Sequence, residues 1–252
     1  MNSFVDIILP NYNKEFFLEE TINSILDQNY NNWQLLIIDD CSTDNSKTII
    51  QKFSKNKKIK IIYLKKNKGV SFTRNLGIRL SNSKYISFLD SDDLWTTNKL
   101  KDQINFMEKN NYSFTYTDYT PFFVEDKKKN LKKKIITPDF FNFETFIDNS
   151  SIGTSTMMVL RSIIKTTKFP KTPVLEDFPF KCKILKKIKL AIKFDRNTVF
   201  YRITKNSLGS NKLKNLFWLW KINKNYNKLT FFRNLRSLFF ISINSLKKYG
   251  YK

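Results

Sequence analysis

The sequence predicts an α/β protein built on a doubly wound sheet and extended at its C-terminus by a basic helical segment. Three observations predict it. Short apolar runs alternate with segments of helical periodicity through the first hundred residues. Asn or Asp residues gather directly after three of those runs. From Arg196 to Lys252 there is no Asp or Glu, against thirteen Lys and Arg.

The elements follow in order. Val5 to Leu9 is a short apolar run ended by Pro10 and reads as a buried strand. Leu18, Ile22, Ile25 and Leu26 recur at helical spacing. Trp33 to Ile38 is a second strand, ending in Asp39-Asp40. Ser42 and Asp44 are N-cap candidates for a helix carrying Ile49, Ile50 and Phe53. Lys60 to Leu64 reads as a third strand, Phe72 to Leu80 as a helix and Tyr85 to Leu89 as a fourth strand. Strand–helix alternation of this kind argues a parallel, doubly wound sheet. Beyond Asn98, Leu100 to Met107 continues a helix and Tyr112 to Tyr119 suggests a strand. Lys127 to Lys134 reads as a solvated loop and Ser155 to Leu160 as a strand. A helix is expected around Glu176 to Leu185, then apolar strands from Ile188 to Ile203. In the tail, Leu213, Leu216, Phe217 and Trp220 form one helical stripe. Leu229, Phe232, Leu235, Phe239, Ile243 and Leu246 form another.

Composition narrows the chemistry. At 252 residues and 41% hydrophobic content the chain buries a full core and is not disordered. A net charge of +23 favours anionic partners: nucleic acid, phospholipid headgroups or phosphorylated substrates. There is no His, so proton transfer near neutral pH falls to Asp, Glu, Lys, Tyr or Cys. Any metal is then a hard cation held by oxygen, such as Mg²⁺ or Mn²⁺. Cys41 and Cys182 show no ligand spacing and fit a reducing cytosol. No signal peptide is expected, and no apolar run spans a bilayer.

The strongest chemical feature is Asp90-Ser91-Asp92-Asp93, directly after a strand. Two carboxylates one residue apart at a strand end can address a divalent cation that also holds a diphosphate. Asn11-Tyr12-Asn13 and Asp39-Asp40 stand at equivalent places, and open α/β sheets bind ligands outside the carboxyl ends of their strands. One such cluster is explained as ordinary turn chemistry; three at matching positions point to a crevice. Arg74, on a helix, is either a surface charge or a phosphate contact, and the Asn67-Lys68-Gly69 turn before it favours the second. Glu176 and Asp177 are either the acidic first turn of a helix or the carboxylate base that a chain without His requires. Asp40 and Asp44 read as turn and cap residues, and Asp93 as the start of the next helix.

Four segments together carry a family resemblance: Ile7-Ile8-Leu9-Pro10-Asn11-Tyr12-Asn13; Leu36 to Asp44; Asn67 to Val70 with Arg74-Asn75-Leu76-Gly77; and Phe88-Leu89-Asp90-Ser91-Asp92-Asp93. In this order the chain resembles the family 2 inverting glycosyltransferases of the GT-A fold, of the bacterial surface-polysaccharide type. Gly153-Thr154-Ser155-Thr156, Leu175-Glu176-Asp177 and Tyr201-Arg202 with Asn206-Ser207 extend the likeness.

The resemblance implies a Rossmann-like, doubly wound mixed sheet over residues 1–210, with a nucleotide-sugar half (1–98) and an acceptor half (99–210); composition and periodicity set apart an amphipathic basic tail (211–252). It implies that Pro10, Asn11 and Tyr12 line the nucleotide pocket, with Tyr12 near the base. The family more often has Thr at the position of Asn11. Asp39 is implied to accept from a pyrimidine, which favours UDP. Arg74 is implied at the diphosphate, Asp90 with Ser91 at the ribose or donor sugar, Asp92 on Mn²⁺ or Mg²⁺, and Asp177 as base. The expected partners are a UDP-sugar, a saccharide or lipid-linked acceptor and, through the tail, an anionic membrane surface. The expected location is cytoplasmic, peripheral on the inner face of the plasma membrane. A nucleic-acid-binding module explains the charge but leaves the acidic cluster without a purpose, so no nucleic acid is expected. A sugar nucleotidyltransferase needs a Gly- and Lys/Arg-rich loop after the first strand, which Pro10-Asn11-Tyr12-Asn13 is not. An inactive donor-binding relative is disfavoured by Asp92 and Asp177.

Overall fold

The computed structural model describes residues 3–126, 128–204 and 212–249. Four strands of the first hundred residues, β1 (Val5–Asn11), β2 (Trp33–Asp39), β3 (Ile59–Tyr63) and β4 (Tyr85–Phe88), are parallel in the order β3-β2-β1-β4. The helices between them are α1 (Leu18–Leu26), α2 (Ser46–Gln51) and α3 (Val70–Leu80). Beyond them come the short β5 (Leu94–Trp95), α4 (Lys99–Asn110) and the long β6 (Phe114–Glu125), which folds back as β7 (Lys128–Leu131). Next are β8 (Phe140–Phe141), α5 (Phe143–Phe146), a 3₁₀ turn (Thr154–Thr156), β9 (Met158–Leu160) and α6 (Arg161–Ile164). The chain continues through α7 (Asp177–Lys187), β10 (Ala191–Arg202), α8 (Lys212–Ile222), a π-helical turn (Asn223–Asn227) and α9 (Phe231–Tyr249).

The two expected halves are joined in one mixed sheet of order β3-β2-β1-β4-β9-β6-β10-β5. Antiparallel β9 stitches β4 to β6. Alternation along the strands separates two apolar layers, because successive side chains point to opposite faces. Ile8, Leu36, Ile38, Ile86 and Phe88 face one layer with Ile78 of α3 and Phe178, Phe180 and Ile184 of α7. Ile7, Leu9, Leu35 and Ile37 face the other, with Ile22 and Ile25 of α1, Ile50 of α2 and Ile104 of α4. Helix α3 lies so close to β1 that a Cβ on Gly77 would sit 2.5 Å from Ile8 Cγ2, so this helix face requires glycine.

Several boundaries differ from the sequence reading, each for a physical reason. β1 continues through Pro10 to Asn11, because its pairing with β4 ends at Ile8 and the missing proline N–H falls beyond that ladder. The Lys127–Lys134 run is not a plain loop: Lys128–Leu131 is an exposed edge strand, and charge on such an edge is a common guard against further pairing. Ser155 and Thr156 belong to the 3₁₀ turn, and the strand begins at Met158. The apolar stretch after Ile188 is a single bulged strand, β10. Asp93 starts no helix, since β5 follows it and α4 begins at Lys99. Ser42 and Asp44 do not supply the N-cap position of α2, which is Asn45. Asp44 instead accepts from the Ser46 and Glu15 amides, while Ser42 turns inward to Asp39.

The tail packs onto the domain. Leu219 and Ile222 of α8 enter the core, and Asn223, Asn227, Asn234 and Ser237 form a buried hydrogen-bonded cluster between α8 and α9. Arg233 pairs with Asp148 at 2.6 Å and with Glu144 at 3.2 Å. The opposite face of α9 leaves Phe232, Leu235 and Phe239 exposed, with Phe232 at 82%. The expected boundary at 210/211 and the segment Asn206-Ser207 lie outside the described residues. No helix among the described residues is long and apolar enough to cross a membrane.

Candidate active site

The carboxyl ends of β1, β2 and β4 meet at one edge of the sheet. Asn11 and Asp39 are register partners at the ends of β1 and β2. Asn11 donates its amide to Asp39 Oδ1 at 2.9 Å, and Ser42 donates both Oγ (2.5 Å) and N (3.0 Å) to the same carboxylate. Asp39 is therefore fixed and fully buried, while Asn11 Oδ1 is buried without a hydrogen bond. Pro10 is buried beneath them. Tyr12 is 45% exposed, so its ring is available to a ligand and is not core packing. Asp40 accepts the amides of Lys68 and Gly69, each at 2.7 Å. That anchors the turn before α3, where Gly69 takes φ 86°, a conformation that favours glycine.

Arg74 is the centre of the next group. It is a buried residue of α3, not a surface charge. One terminal nitrogen lies 2.6 Å from Asp90 Oδ1 and the other 2.5 Å from Glu176 Oε1. Burial alone would weaken its charge, but Asp90 and Glu176 outweigh this and hold the guanidinium firmly protonated. Both fork ends that the sequence assigned to a diphosphate are thus occupied by carboxylates, and its Nε is buried without a partner.

The acidic loop divides its labour. Asp92, one-fifth exposed, pairs with Lys14 at 2.6 Å through Oδ2. Asp90, one-third exposed, reaches Arg74 through Oδ1. The second oxygen of each makes no hydrogen bond to the described residues. Ser91 is buried between them. Asp93 is sealed: Ser155 Oγ lies 2.6 Å from its Oδ2, and the Arg202 amide donates to Oδ1 at 2.9 Å. Burial, with Asp92 and Asp90 adding repulsion, pushes its carboxyl well above the usual range. Asp93 thus anchors the loop to β10. Arg202 adds a bond from Nε to the Asp92 carbonyl and pairs with Glu20.

Asp177 opens α7, with Pro179 tolerated in the first turn. Two paths of contact join it to the acidic loop: through Glu176, Arg74 and Asp90, and through Thr154, Ser155 and Asp93. Burial opposes its charge, but Lys181, supported by Arg74 and Thr154, holds its carboxyl at about 2. Asp177 is ionised at neutral pH.

The structure places the sequence-predicted site residues around this edge of the sheet, with Glu176 beside Asp177, and adds Lys14, Thr154, Ser155, Lys181 and Arg202. Lys181 was discoverable from its i,i+4 spacing to Asp177. Lys14 carries no local signal, and Arg202 was marked only by the Tyr201-Arg202 pair of the family likeness. The donor set suits a hard cation, with Asp92 and Asp90 each offering a spare carboxylate oxygen. Among the described residues no group of three or more acidic or thiol side chains converges to hold a metal alone. Any cation here completes its shell with ligand oxygens and water.

The family model "Glycosyl transferase family 2" matches residues 6–167, more than half of the chain, including Asn11, Asp39, Arg74 and the Asp90–Asp93 loop and ending before Glu176 and Asp177. The chain belongs to glycosyl transferase family 2. This glycosyltransferase is 31% identical to the putative teichuronic acid biosynthesis glycosyltransferase TuaG of Bacillus subtilis, over 97% of this chain and 96% of that one. It is 34% identical to WfgD of Escherichia coli, a UDP-Glc:alpha-D-GlcNAc-diphosphoundecaprenol beta-1,3-glucosyltransferase, over 86% and 84% of the two chains. The structure of Staphylococcus aureus TarS 1–349 with UDP-GlcNAc superposes with a TM-score of 0.73 at 18% identity, covering 97% of this glycosyltransferase and 73% of TarS. The mannosyltransferase PcManGT of Pyrobaculum calidifontis, solved with GDP-Man and Mn²⁺, gives 0.70 at 13% identity, covering 100% and 77%. These likenesses establish the expected GT-A fold.

Proposed function

We propose that this glycosyltransferase moves a sugar from a UDP-linked donor to a lipid-linked saccharide, with inversion at the anomeric carbon, in the synthesis of a bacterial surface polysaccharide. The observation that carries the reading is the double linkage of Asp177 to the Asp90–Asp93 loop, which holds an ionised carboxylate, its Oδ1 without a hydrogen bond to the described residues, beside the acidic edge of the sheet. The names of WfgD and TuaG support the acceptor class and the polysaccharide. The uridine in the TarS complex supports the donor.

In this reading Tyr12 covers the base, Asp39 receives its N–H, and the unpartnered Asn11 Oδ1 offers a second acceptor. Asp90 and Ser91 meet the ribose or the donor sugar. Arg74 braces Asp90 against Glu176, and it reaches the diphosphate directly only if one of those pairs opens. Asp92, with Asp90 beside it, would hold Mn²⁺ or Mg²⁺, and the cation would supply Lewis-acid charge to the diphosphate. Asp177 takes the proton of the acceptor hydroxyl as that oxygen attacks from the face opposite the leaving group. A neighbouring carboxylate forming a covalent intermediate is not required for a single displacement.

The tail supports work at a membrane. Phe232, Leu235 and Phe239 line the outward face of α9, Phe217 projects from α8, and the segment holds no acidic residue. Arg233 and Lys248 are committed to the domain, so other lysines of the tail supply the attraction to anionic lipid.

A panel of nucleotide sugars assayed for donor hydrolysis and for transfer to a diphospholipid-linked saccharide, with Mn²⁺ or with chelator, tests the reading. UDP-sugar turnover that requires the cation and yields an inverted linkage is expected. Turnover unaffected by chelation removes the metal role, and a retained linkage removes the single displacement.

A further inference from the structure

We propose that Lys181 is a positioning residue for Asp177: with Thr154 it locks the Oδ2 oxygen, so that Oδ1 alone faces the acceptor hydroxyl. The inference rests on the reading of Asp177 as the base.

Helix α7 sets the two residues one turn apart, on the same face. Lys181 Nζ lies 2.5 Å from Asp177 Oδ2, 2.6 Å from the Ile152 carbonyl and 3.1 Å from Thr154 Oγ1. An ammonium has three donors and no acceptor, and here three acceptors meet it. Thr154 Oγ1 in turn donates to Asp177 Oδ2 at 3.0 Å. Lysine, threonine and carboxylate close a triangle on one oxygen, and Oδ1 makes no hydrogen bond to the described residues.

The pair is asymmetric in its exposure. The Lys181 side chain is 2% exposed and that of Asp177 30%. An exposed i,i+4 pair contributes little and wanders. This one has its cation sealed in the domain and its anion at the surface of the site. A buried ammonium is costly unless matched, so its retention beside the proposed base asks for a purpose. Orientation and charge supply one. The lock removes rotation about the carboxylate, and orientation of a reacting group is a large part of catalysis. It also keeps Asp177 ionised.

Asp177 faces Lys181 from α7, Arg74 from α3 and Thr154 from the 3₁₀ turn, and Glu176, at the N-cap of α7, turns to Arg74. Arg74 is shared by Asp90 and Glu176, so Lys181 is the cation bonded to Asp177 itself. Without it, burial acts against the carboxylate with less to oppose it, and the carboxyl moves up. A carboxylate of higher basicity is a stronger proton acceptor where it is ionised. The lysine therefore trades basicity for ionisation and aim.

The test compares pH profiles of transfer by the full chain for wild type, Lys181→Met, Thr154→Val and Asp177→Asn, with UDP affinity measured on each. Lys181→Met is expected to move the acidic limb of kcat/KM upward by about one pH unit or more. It is also expected to lose about tenfold or more in kcat near neutral pH from lost orientation. UDP affinity stays within twofold of wild type, on the order of the scatter between independent sites. Thr154→Val moves the limb in the same direction by less, and it decides the matter if the methionine variant does not fold. An acidic limb that stays in place in a folded Lys181→Met enzyme, with loss uniform across pH, makes Lys181 a packing residue and overturns the inference. Near-wild-type transfer by Asp177→Asn is a different result: it removes the base assignment itself, whatever Lys181 does.

Discussion

Lys14 Nζ stands 2.6 Å from Asp92 Oδ2, on the carboxylate proposed to carry the divalent cation. The two residues are 78 positions apart, and both are partly exposed. A cation approaching Asp92 competes with the ammonium. Partly exposed pairs contribute about 0–1 kcal/mol, which converts to at most about fivefold in affinity. Lys14→Met is therefore expected to bind Mn²⁺ alone about two- to fivefold more tightly. Asp92→Ala is expected to lose cation-dependent UDP binding. Titration calorimetry reads both, and unchanged UDP binding in Asp92→Ala would take the ligand role from that residue.

Asp177→Asn keeps the shape of the side chain and removes its capacity as a base. Transfer is expected to fall by about 10²–10⁴, the usual range for general acid–base contributions. UDP affinity stays near wild type, because Asn11, Tyr12 and Asp39 are untouched. A parallel loss of donor affinity would place Asp177 in binding.

Lys99 gives a pH-dependent stability. It is fully buried against Trp95 and bonded to Gln103 Oε1 at 2.6 Å, and burial lowers its pKa to about 7. Its unfolded value is 10.5. Between these values the unfolded chain binds the extra proton, so this lysine makes stability rise with pH from about 7 to about 10. Lys99→Met is expected to remove that rise. Urea midpoints for both proteins across this range measure it, and parallel curves would show that Lys99 does not titrate there.

The exposed face of α9 predicts membrane affinity. Phe232→Ser with Phe239→Ser is expected to reduce flotation with anionic vesicles severalfold, while far-UV dichroism is unchanged. Neutral vesicles should bind weakly to both proteins, because the lysines contribute about 1 kcal/mol each only near anionic lipid. Equal flotation of variant and wild type would take this face out of the interaction.

Much of the fold was legible because it is written locally. The apolar runs Val5 to Leu9 and Trp33 to Ile38 have few alternatives to buried strands, and the residues after them sit where an open sheet binds ligands. Pro10 misled because its cost depends on whether a neighbour pairs with it, and β4 stops short of it. Lys128–Leu131 misled because charge reads as solvation, while an edge strand tolerates both. In the site, Asp90, Asp92, Asp177 and Arg74 carried sequence signals. What each pairs with did not, since the turn before Arg74 pointed to a phosphate while its fork ends meet Asp90 and Glu176.

The sequence by itself determined the alternating architecture, the family, the oxygen chemistry that a chain without histidine must use, and a tail without a single acidic residue. Tertiary structure decided what holds each carboxylate. Asp93 is closed off by Ser155 and the Arg202 amide, Asp90 is braced by Arg74, and Asp92 is held by Lys14. It also decided that Lys181 is sealed behind Asp177 and that Arg233 faces Asp148 and not the solvent. The reason is physical: periodicity fixes which side of an element is apolar, whereas the worth of a charge depends on burial and on partners far away in the chain.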